Sequence, residues 1–348
     1  MEDRFDDWRS TASASNKSVG YSILILSVIT IIICIVGCLG NILSLVIFSH
    51  RDMRSTGTQL LRYLAAMDTG LLLLSFSYIV HNLHNYFSFS NMFLLVFMAV
   101  TPVTYPLSRS LRTCTVYLTS AVASHRALAV MRPLLCSKVT PKHIKAASIF
   151  IVVWSVAFNI PHWFALPPQL YWEPLINRTW LRYTTTNYTG SNLYLLVYEG
   201  YIQILLVYVI PTVFMITSAV AMVRSFVRRK VFRQSRRSLE SSQNSEQTAV
   251  FLRQTSQLHQ QTTRLTTIVL SVTVMSIISQ GLASIELILF ATVWGKGSNC
   301  GDCCKLLSSF NVLLISLNSG INFAFYGLWG AKYRYTCKNM CSCMKASV

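Results

Sequence analysis

The stretch that decides the fold is residues 21–49, "YSILILSVITIIICIVGCLGNILSLVIFS", which carries no charged side chain over 29 consecutive positions. A helix needs about 20 predominantly apolar residues to cross the hydrocarbon core of a bilayer. Residues 21–49 are therefore long enough to form a transmembrane helix.

The rest of the chain repeats this pattern. Of its 348 residues, 53% are hydrophobic and only 12% are charged, whereas soluble domains carry about a quarter charged residues. Further apolar blocks occupy residues 59–83, 98–131, 144–166, 195–223, 265–293 and 306–328. We therefore predict an all-α fold, a seven-transmembrane helix bundle. One alternative is open, because the uncharged residues 87–108 could form a separate span ahead of 113–131, which would make eight.

Three glycosylation sequons help to choose between seven and eight spans. They begin at Asn16, Asn177 and Asn187, and glycans are added only to segments outside the cytoplasm. With seven spans, all three asparagines lie on the same side of the membrane. With eight, Asn16 lies opposite the other two. The sequons therefore favour seven spans and an extracellular amino terminus.

The basic residues give the same orientation. Segments assigned to the inner side hold 20 of the 30 Lys and Arg residues, and the outer segments hold seven, as the positive-inside rule requires. The net charge of +18 therefore indicates contacts with inner-leaflet lipid and cytosolic proteins rather than with nucleic acid. We expect a multi-pass plasma-membrane protein.

The predicted organisation has three parts. Residues 1–20 form an extracellular tail, 21–328 the seven-span domain with a third cytoplasmic loop at 224–263, and 329–348 a cytoplasmic amphipathic helix and tail. This eighth helix would lie at the inner membrane face, where Cys337, Cys341 and Cys343 suit palmitoylation. In the last outer loop, the group Cys300, Cys303 and Cys304 suits a local disulfide, and its odd number leaves one thiol over.

The polar residues inside the spans limit the function. They are Asn41, Asp68, Arg109, Arg112, Arg126, Glu199, Glu286, Asn318 and Asn322. Asp68 is the only carboxylate deep in a span, and the sequence lacks a zinc motif and a phosphate loop, so we expect neither an enzyme nor a resident metal cofactor. The sequence also shows no internal repeat and no filter-like loop, which disfavours a transporter and a channel.

Several motifs occur in order, each on its own span. They are Gly40-Asn41, "LAAMD" ending at Asp68, "SHRALAVMRPL" at 124–134, Trp154, Pro211 and "NSGINFAFYGLWGAKYR" at 318–334. Over residues 21–343 the chain resembles a rhodopsin-class (class A) G-protein-coupled receptor, most like the FMRFamide-type neuropeptide receptors of invertebrates.

The resemblance implies roles for particular residues. A heterotrimeric G protein would couple through the group His125, Arg126, Pro133 and Leu134. A water-filled cluster able to hold a sodium ion would comprise Asn41, Asp68, Asn318 and Asn322, and Tyr326 would move towards Arg126 on activation. A bistable hydrogen-bonded cluster suits a switching receptor. The alternative is that these polar groups only hold the helices together.

The chain departs from the family pattern at informative positions. His125 replaces the acid before Arg126, and Ala127 replaces the tyrosine after it. Without the carboxylate, the hypothesis is a less firmly locked inactive state. Leu282 replaces the proline of the sixth span. Thr101 stands where the third span's disulfide cysteine belongs, and residues 167–194 contain no cysteine.

Charged residues near the outer mouth are candidates for ligand contacts. Arg109 and Arg112 are three positions apart and share one helix face, so they suit a carboxylate or the carbonyl-rich end of a peptide. Glu199 and Glu286 suit a cationic side chain, such as the arginine of an Arg-Phe-amide ending. Tyr105 and His81 are further candidates. The alternative is that the four charged residues simply pair with one another.

The function predicted from the sequence is a G-protein-coupled receptor for an extracellular, amidated FMRFamide-like neuropeptide. Two alternatives stay open. One is a chemosensory receptor of the same fold for a small acidic molecule, favoured by Arg109 and Arg112. The other is a ligand-binding protein that does not signal, suggested by the altered motif at His125 and Ala127.

Overall fold

The computed structural model describes residues 2–84, 91–164, 168–173, 178–183, 191, 193–240, 246–289 and 302–346. Nearly all of them are helical. The α-helices are α1 (Glu2–Ser49), α2 (Thr56–His84), α3 (Asn91–Met131), α4 (Pro133–Cys136), α5 (Pro141–Phe158), α6 (Ile210–Glu240), α7 (Glu246–Leu289), α8 (Asp302–Gly320), α9 (Asn322–Trp329) and α10 (Ala331–Ala346). Two short 3-10 helices, Arg51–Met53 and Ile160–Phe164, follow α1 and α5.

Seven helical segments form the bundle. Five are long and apolar enough to cross a membrane: Val19–Ser49, Pro141–Phe164, Leu193–Ser225, Thr266–Leu289 and Cys303–Leu328. The other two are α2 and α3. They carry charged residues along their length, and α2 packs between α1 and α3. Because α3 is one continuous helix from Asn91 to Met131, residues 91–108 belong to the third span. The predicted seven-helix fold is confirmed.

The distribution of side chains is that of a protein in lipid. Large apolar residues face outward, such as Ile25, Leu39 and Phe150, whereas Asn41 and Asp68 are buried. Lipid tails solvate apolar side chains as well as a protein core does, so polar groups are the ones that gain from facing inward. Burial thus supports the multi-pass membrane topology.

The backbones of the first and seventh spans approach each other closely. A methyl group added to Gly37 on α1 would lie 2.7 Å from the Cα atom of Gly320 on α8. Small residues at such a crossing let helix backbones approach closely in a bilayer. This close approach brings Asn41, one turn further along α1, next to the seventh span.

The fifth and sixth spans differ from regular, proline-kinked helices. The fifth begins with π-helical segments at Leu193–Ile202 and Ile204–Val209 before α6 continues it. The sixth, α7, runs without a break through Leu282, in keeping with the absence of a proline there. α6 reaches Glu240 and α7 begins at Glu246, so helical extensions account for most of the third cytoplasmic loop.

An antiparallel hairpin lies between the fourth and fifth spans. Its strands are β1 (Pro168–Glu173) and β2 (Arg178–Tyr183), with Leu170 opposite Leu181 and Tyr171 opposite Trp180. The second outer loop therefore has regular structure although residues 167–194 contain no cysteine. This hairpin was not predicted from the sequence.

The amphipathic helix that follows the seventh span is α10. It packs against the end of the bundle that the sequence predicts to face inward. Tyr333 is buried, and its hydroxyl lies 3.0 Å from that of Ser44 on α1. Tyr335 points outward and is 64% exposed. The helix thus has a face towards the bundle and a face towards its surroundings, which matches the amphipathic helix predicted for 329–348.

Candidate ligand pocket and polar cluster

A cavity of about 380 Å³ opens in the half of the bundle that the sequence predicts to face outward. This volume lies in the range of small-molecule and cofactor sites, roughly 300–1,000 Å³. Charged and aromatic residues contribute to its wall: Tyr105, Arg109, Arg112, Glu199, Tyr208 and Glu286. Five of the six predicted ligand contacts therefore line one cavity. The side chain of the sixth, His81, lies outside the described residues.

Arg109 and Glu199 form a buried ion pair across the third and fifth spans. Nη2 of Arg109 lies 3.1 Å from Oε2 of Glu199, and the two side chains are 20% and 7% exposed. The Arg109 guanidinium also lies 5.7 Å from the ring centroid of Tyr105. Breaking such a pair from one side leaves an uncompensated buried charge, so each partner holds the other in place.

Glu199 is held from its other side by a network behind the cavity wall. The Tyr194 hydroxyl donates to Glu199 Oε1 over 3.2 Å, and His162 Nδ1 lies 3.2 Å from the same oxygen. The Gln203 amide nitrogen lies 2.8 Å from His162 Nε2. In this orientation the amide can only donate, so Nε2 accepts, and Nδ1 carries the proton that faces Glu199.

His162, Tyr194 and Gln203 are not among the predicted site residues. A usable signal was present for His162 and Gln203, because each is a polar residue within an apolar span, the property that drew attention to Glu199. The network could not be predicted because the fifth helix is irregular. Its π-helical segments have more residues per turn than an α-helix, so α-helical periodicity assigns its residues to the wrong faces.

Arg112 and Glu286 have no charged partner among the described residues. The Arg112 guanidinium lies 5.4 Å from the ring centroid of Tyr208. Glu286 accepts hydrogen bonds from the neutral side chains of Ser308 and Asn311. Within the described part of the chain, neither residue forms a salt bridge. Mutual pairing of the four predicted charges therefore holds for Arg109 and Glu199 alone.

The predicted polar cluster lies deeper in the bundle. Asn322 donates a 2.8 Å hydrogen bond to Asp68, and Asn41 donates a 2.9 Å bond to the backbone oxygen of Ser319. Asn318 accepts a 2.9 Å bond from Ser276 of the sixth span. The side chains of Asn41, Asp68 and Asn322 are all at most 3% exposed.

Two buried oxygens of this cluster have no partner among the described residues: Oδ1 of Asn41 and Oδ1 of Asn322. A buried oxygen in this state points to a water molecule or an ion. The Asp68 carboxylate and the two amides supply oxygen atoms, which are the ligand type that a hard cation such as sodium takes.

A second cavity, of about 480 Å³, opens at the end of the bundle that the sequence predicts to be cytoplasmic, and Arg126 and Tyr326 both line it. The Tyr326 ring packs edge-on against Phe48, with centroids 5.2 Å apart. In the motif that contains Arg126, His125 has only a weak contact, 3.8 Å from Nε2 to the Cys136 sulfur.

The other predicted coupling residues lie on the short helix α4. Pro133 opens it, and Leu134, the next residue, is 82% exposed. Leu134 is therefore accessible, and its predicted role in coupling stays a prediction.

The modification sites are described only in part. Asn177, Asn187 and the side chain of Asn16 lie outside the described residues, as do Cys300 and the side chains of Cys341 and Cys343. Cys337 is half-buried on α10. Cys304 is disulfide-bonded, whereas its neighbour Cys303 carries an exposed free thiol, in keeping with the expectation that one thiol of the outer group is left over.

Comparisons with known proteins agree with this architecture. The model of the serpentine-type seven-transmembrane G-protein-coupled chemoreceptor family Srw matches residues 28–344. The chain is similar to the FMRFamide receptor of Drosophila melanogaster, with 26% identity over 312 residues, which are 87% of this chain and 51% of that protein. It is also similar to the FMRFamide peptide receptor frpr-18 of Caenorhabditis elegans, with 30% identity over 156 residues, 44% of this chain and 36% of that protein. The chain thus spans about half the length of the Drosophila relative.

Proposed function

The chain belongs to the Srw family of serpentine-type seven-transmembrane G-protein-coupled receptors, and from this premise we propose that it is a rhodopsin-class receptor for an amidated, FMRFamide-like peptide. The names of its two relatives support a peptide ligand. The proposal places the chain in the plasma membrane with its amino terminus outside. Ligand binding in the outer cavity is transmitted to a heterotrimeric G protein at the cytoplasmic end.

One observation carries the choice of ligand. Arg112 and Glu286 face the same cavity, and each lacks a salt bridge among the described residues. A peptide that ends in Arg-Phe-amide offers a guanidinium to Glu286 and carbonyl oxygens to Arg112. Charge-assisted hydrogen bonds of this kind are roughly twice as strong as neutral ones. Arg109 and Glu199, already paired, hold the wall of the cavity in place.

The seventh span connects this cavity to the polar cluster. Asn311 of α8 binds Glu286 at the cavity, and Asn318, two turns further along α8, binds Ser276 of α7. A ligand that engages Glu286 therefore acts on the same pair of helices that the Ser276–Asn318 hydrogen bond joins. Below them, Asp68 and the free amide oxygens of Asn41 and Asn322 would hold a sodium ion, whose charge would stabilise one of the two arrangements.

The experiment is a screen of amidated peptides on cells that express the full chain, read by G-protein recruitment. An Arg-Phe-amide peptide is expected to activate, and its free-acid form is expected to be weaker. Arg112→Gln and Glu286→Gln should each reduce potency at least about tenfold, the loss of roughly 1.4 kcal/mol. The control is Lys305→Gln, because Lys305 is exposed and does not line the cavity. A receptor at the cell surface that no amidated peptide activates would contradict the proposal.

A small acidic molecule is the second candidate ligand, because Arg112 has no carboxylate partner among the described residues. The chemoreceptor description of the family also favours it. The two variants separate the candidates. For an acidic ligand, Arg112→Gln should abolish the response and Glu286→Gln should leave or improve it, whereas a peptide should lose potency on both.

A further inference from the structure

We propose that the 480 Å³ cytoplasmic cavity is a binding site for a phosphate-bearing anion that restrains Arg126. The site is distinct from the outer ligand pocket. It rests on the geometry at the inner end of the bundle and does not depend on which ligand binds outside.

The charges around the cavity are of one sign. Arg126 and Lys332 both line it, and no acidic residue does so among the described residues. Asp52, on the 3-10 helix that follows α1, lies close to His50 instead, 3.4 Å from its Nδ1, and does not line the cavity. Two cations that share one cavity without a counter-charge favour an anionic ligand.

The position of the Arg126 guanidinium also favours an anionic ligand. A methyl group built on Gly57 would lie 3.1 Å from Nη2 and 3.2 Å from Cζ of Arg126. Gly57 is in the first turn of α2, which begins at Thr56, where the helix dipole places partial positive charge. An anion beside the two would offset the positive charge of the guanidinium and of the helix start. The missing side chain of Gly57 is what allows this approach.

Hydroxyl groups complete the lining. Ser55 and Thr58 both line the cavity, and their hydroxyl oxygens lie 2.8 Å apart. Tyr335 of α10 also lines the cavity, and its side chain is 64% exposed. Phosphate oxygens accept hydrogen bonds from guanidinium, ammonium and hydroxyl groups alike. This set of donors fits a phosphate.

The inner leaflet supplies such anions where α10 lies. Anionic lipids attract basic juxtamembrane segments on the cytoplasmic side, and Lys332 and Lys338 of α10 are both exposed. The shared chemistry is a phosphate, which either a lipid headgroup or a soluble phosphorylated molecule can carry. The arms of the experiment distinguish these two sources.

The site has a consequence for signalling. His125 occupies the position where the family pattern has an acid, so Arg126 lacks a carboxylate of its own motif. A phosphate bound beside Arg126 would provide the missing negative charge. Arg126 would then be held against α2 until the anion leaves or a protein partner displaces it.

The test uses the purified full chain in phosphatidylcholine nanodiscs. Binding of a fluorescent short-chain phosphatidylinositol bisphosphate is measured for the wild type and for Arg126→Gln, Lys332→Gln and Gly57→Ala. Each variant should bind at least about tenfold more weakly, which corresponds to roughly 1.4 kcal/mol. Gly57→Ala displaces only the flexible end of Arg126, so its thermal unfolding should match that of the wild type.

The control variant is Lys338→Gln, which removes the same charge from the same helix away from the cavity. Soluble inositol trisphosphate is the second arm. If it competes fully, the source is a soluble phosphate, and if only the lipid binds, the source is the leaflet. Equal affinities for all variants would overturn the proposal, and so would a loss in Lys338→Gln as large as in Lys332→Gln, because that result means general surface attraction. Since no outer ligand is used, failure here is separate from failure of the proposed function.

Discussion

The amide of Asn322 donates a 2.8 Å hydrogen bond to the carboxylate of Asp68, and the two residues are 254 positions apart in the chain. The bond joins α2 to α9 in the buried interior of the bundle. A buried polar group that loses its partner costs about 1–3 kcal/mol. The second and seventh spans therefore cannot separate here unless another partner, such as water or an ion, replaces the bond.

Asp68→Asn should remove the sensitivity of the receptor to sodium. In the wild type, sodium at the oxygen-rich cluster should lower agonist affinity by about fivefold or more, the lower end of typical coupling between sites. The neutral variant should show one affinity at every sodium concentration in membrane binding assays. Thr69→Ala is the matched control, because among the described residues the Thr69 hydroxyl bonds to the Ala65 backbone oxygen of its own helix alone. An unchanged sodium effect in Asp68→Asn would contradict sodium binding at this cluster.

Glu199→Gln should destabilise the folded receptor because it leaves the buried Arg109 without its counter-charge. Loss of one partner of a buried pair costs roughly 3–5 kcal/mol, which should appear as a lower thermal unfolding temperature in detergent. The double variant Arg109→Gln/Glu199→Gln should recover part of this loss, because no charge is then left unpaired. Strictly additive losses in the double variant would show that the two residues do not interact.

His125→Asp should lower the signal in the absence of ligand. The new carboxylate would neighbour Arg126, the arrangement of the family pattern that this chain lacks, and would stabilise the resting state. Ligand-free second messenger is measured at equal surface expression. Ser137→Asp adds the same charge to the nearby exposed loop and should leave the basal signal as it is. Identical basal signals in His125→Asp and the wild type would refute the prediction.

Gly37→Ala should loosen the contact between the first and seventh spans. Its methyl group would lie 2.7 Å from the Cα atom of Gly320 and 2.9 Å from a Leu72 methyl, and overpacking of this kind costs about 1–3 kcal/mol. Thermal unfolding measures the effect. Gly281→Ala is the control, because nothing lies within 4 Å of the added methyl there. That substitution should be neutral or slightly stabilising.

The parts of the fold that follow from local patterns could be predicted from the sequence. Long apolar blocks gave the spans, and charge asymmetry favoured their orientation, because the bilayer imposes both rules on every segment separately. The cavity residues could be selected in the same way. Arg112 and Glu286 are rare charges inside apolar helices, and such residues face the interior of the bundle.

The parts that depend on helix irregularity and on contacts between distant segments could not be predicted. The π-helical start of the fifth span rotates Tyr194 and Gln203 relative to an α-helix, so their meeting with His162 has no periodic signature. The proximity of Gly57 to Arg126 depends on how α2 and α3 cross. The sequence around Gly57 or around Arg126 does not indicate how these two helices cross.

The most direct test of the central claim, that Glu286 receives the cationic end of an amidated peptide, is a double-mutant cycle across the interface. Potencies of an active Arg-Phe-amide peptide and of its citrulline analogue are measured on the wild type and on Glu286→Gln. The claim predicts that citrulline costs at least about tenfold on the wild type and almost nothing further on the variant, because the charge pair is already broken. If the two losses multiply, so that citrulline costs as much on Glu286→Gln as on the wild type, the claim is contradicted.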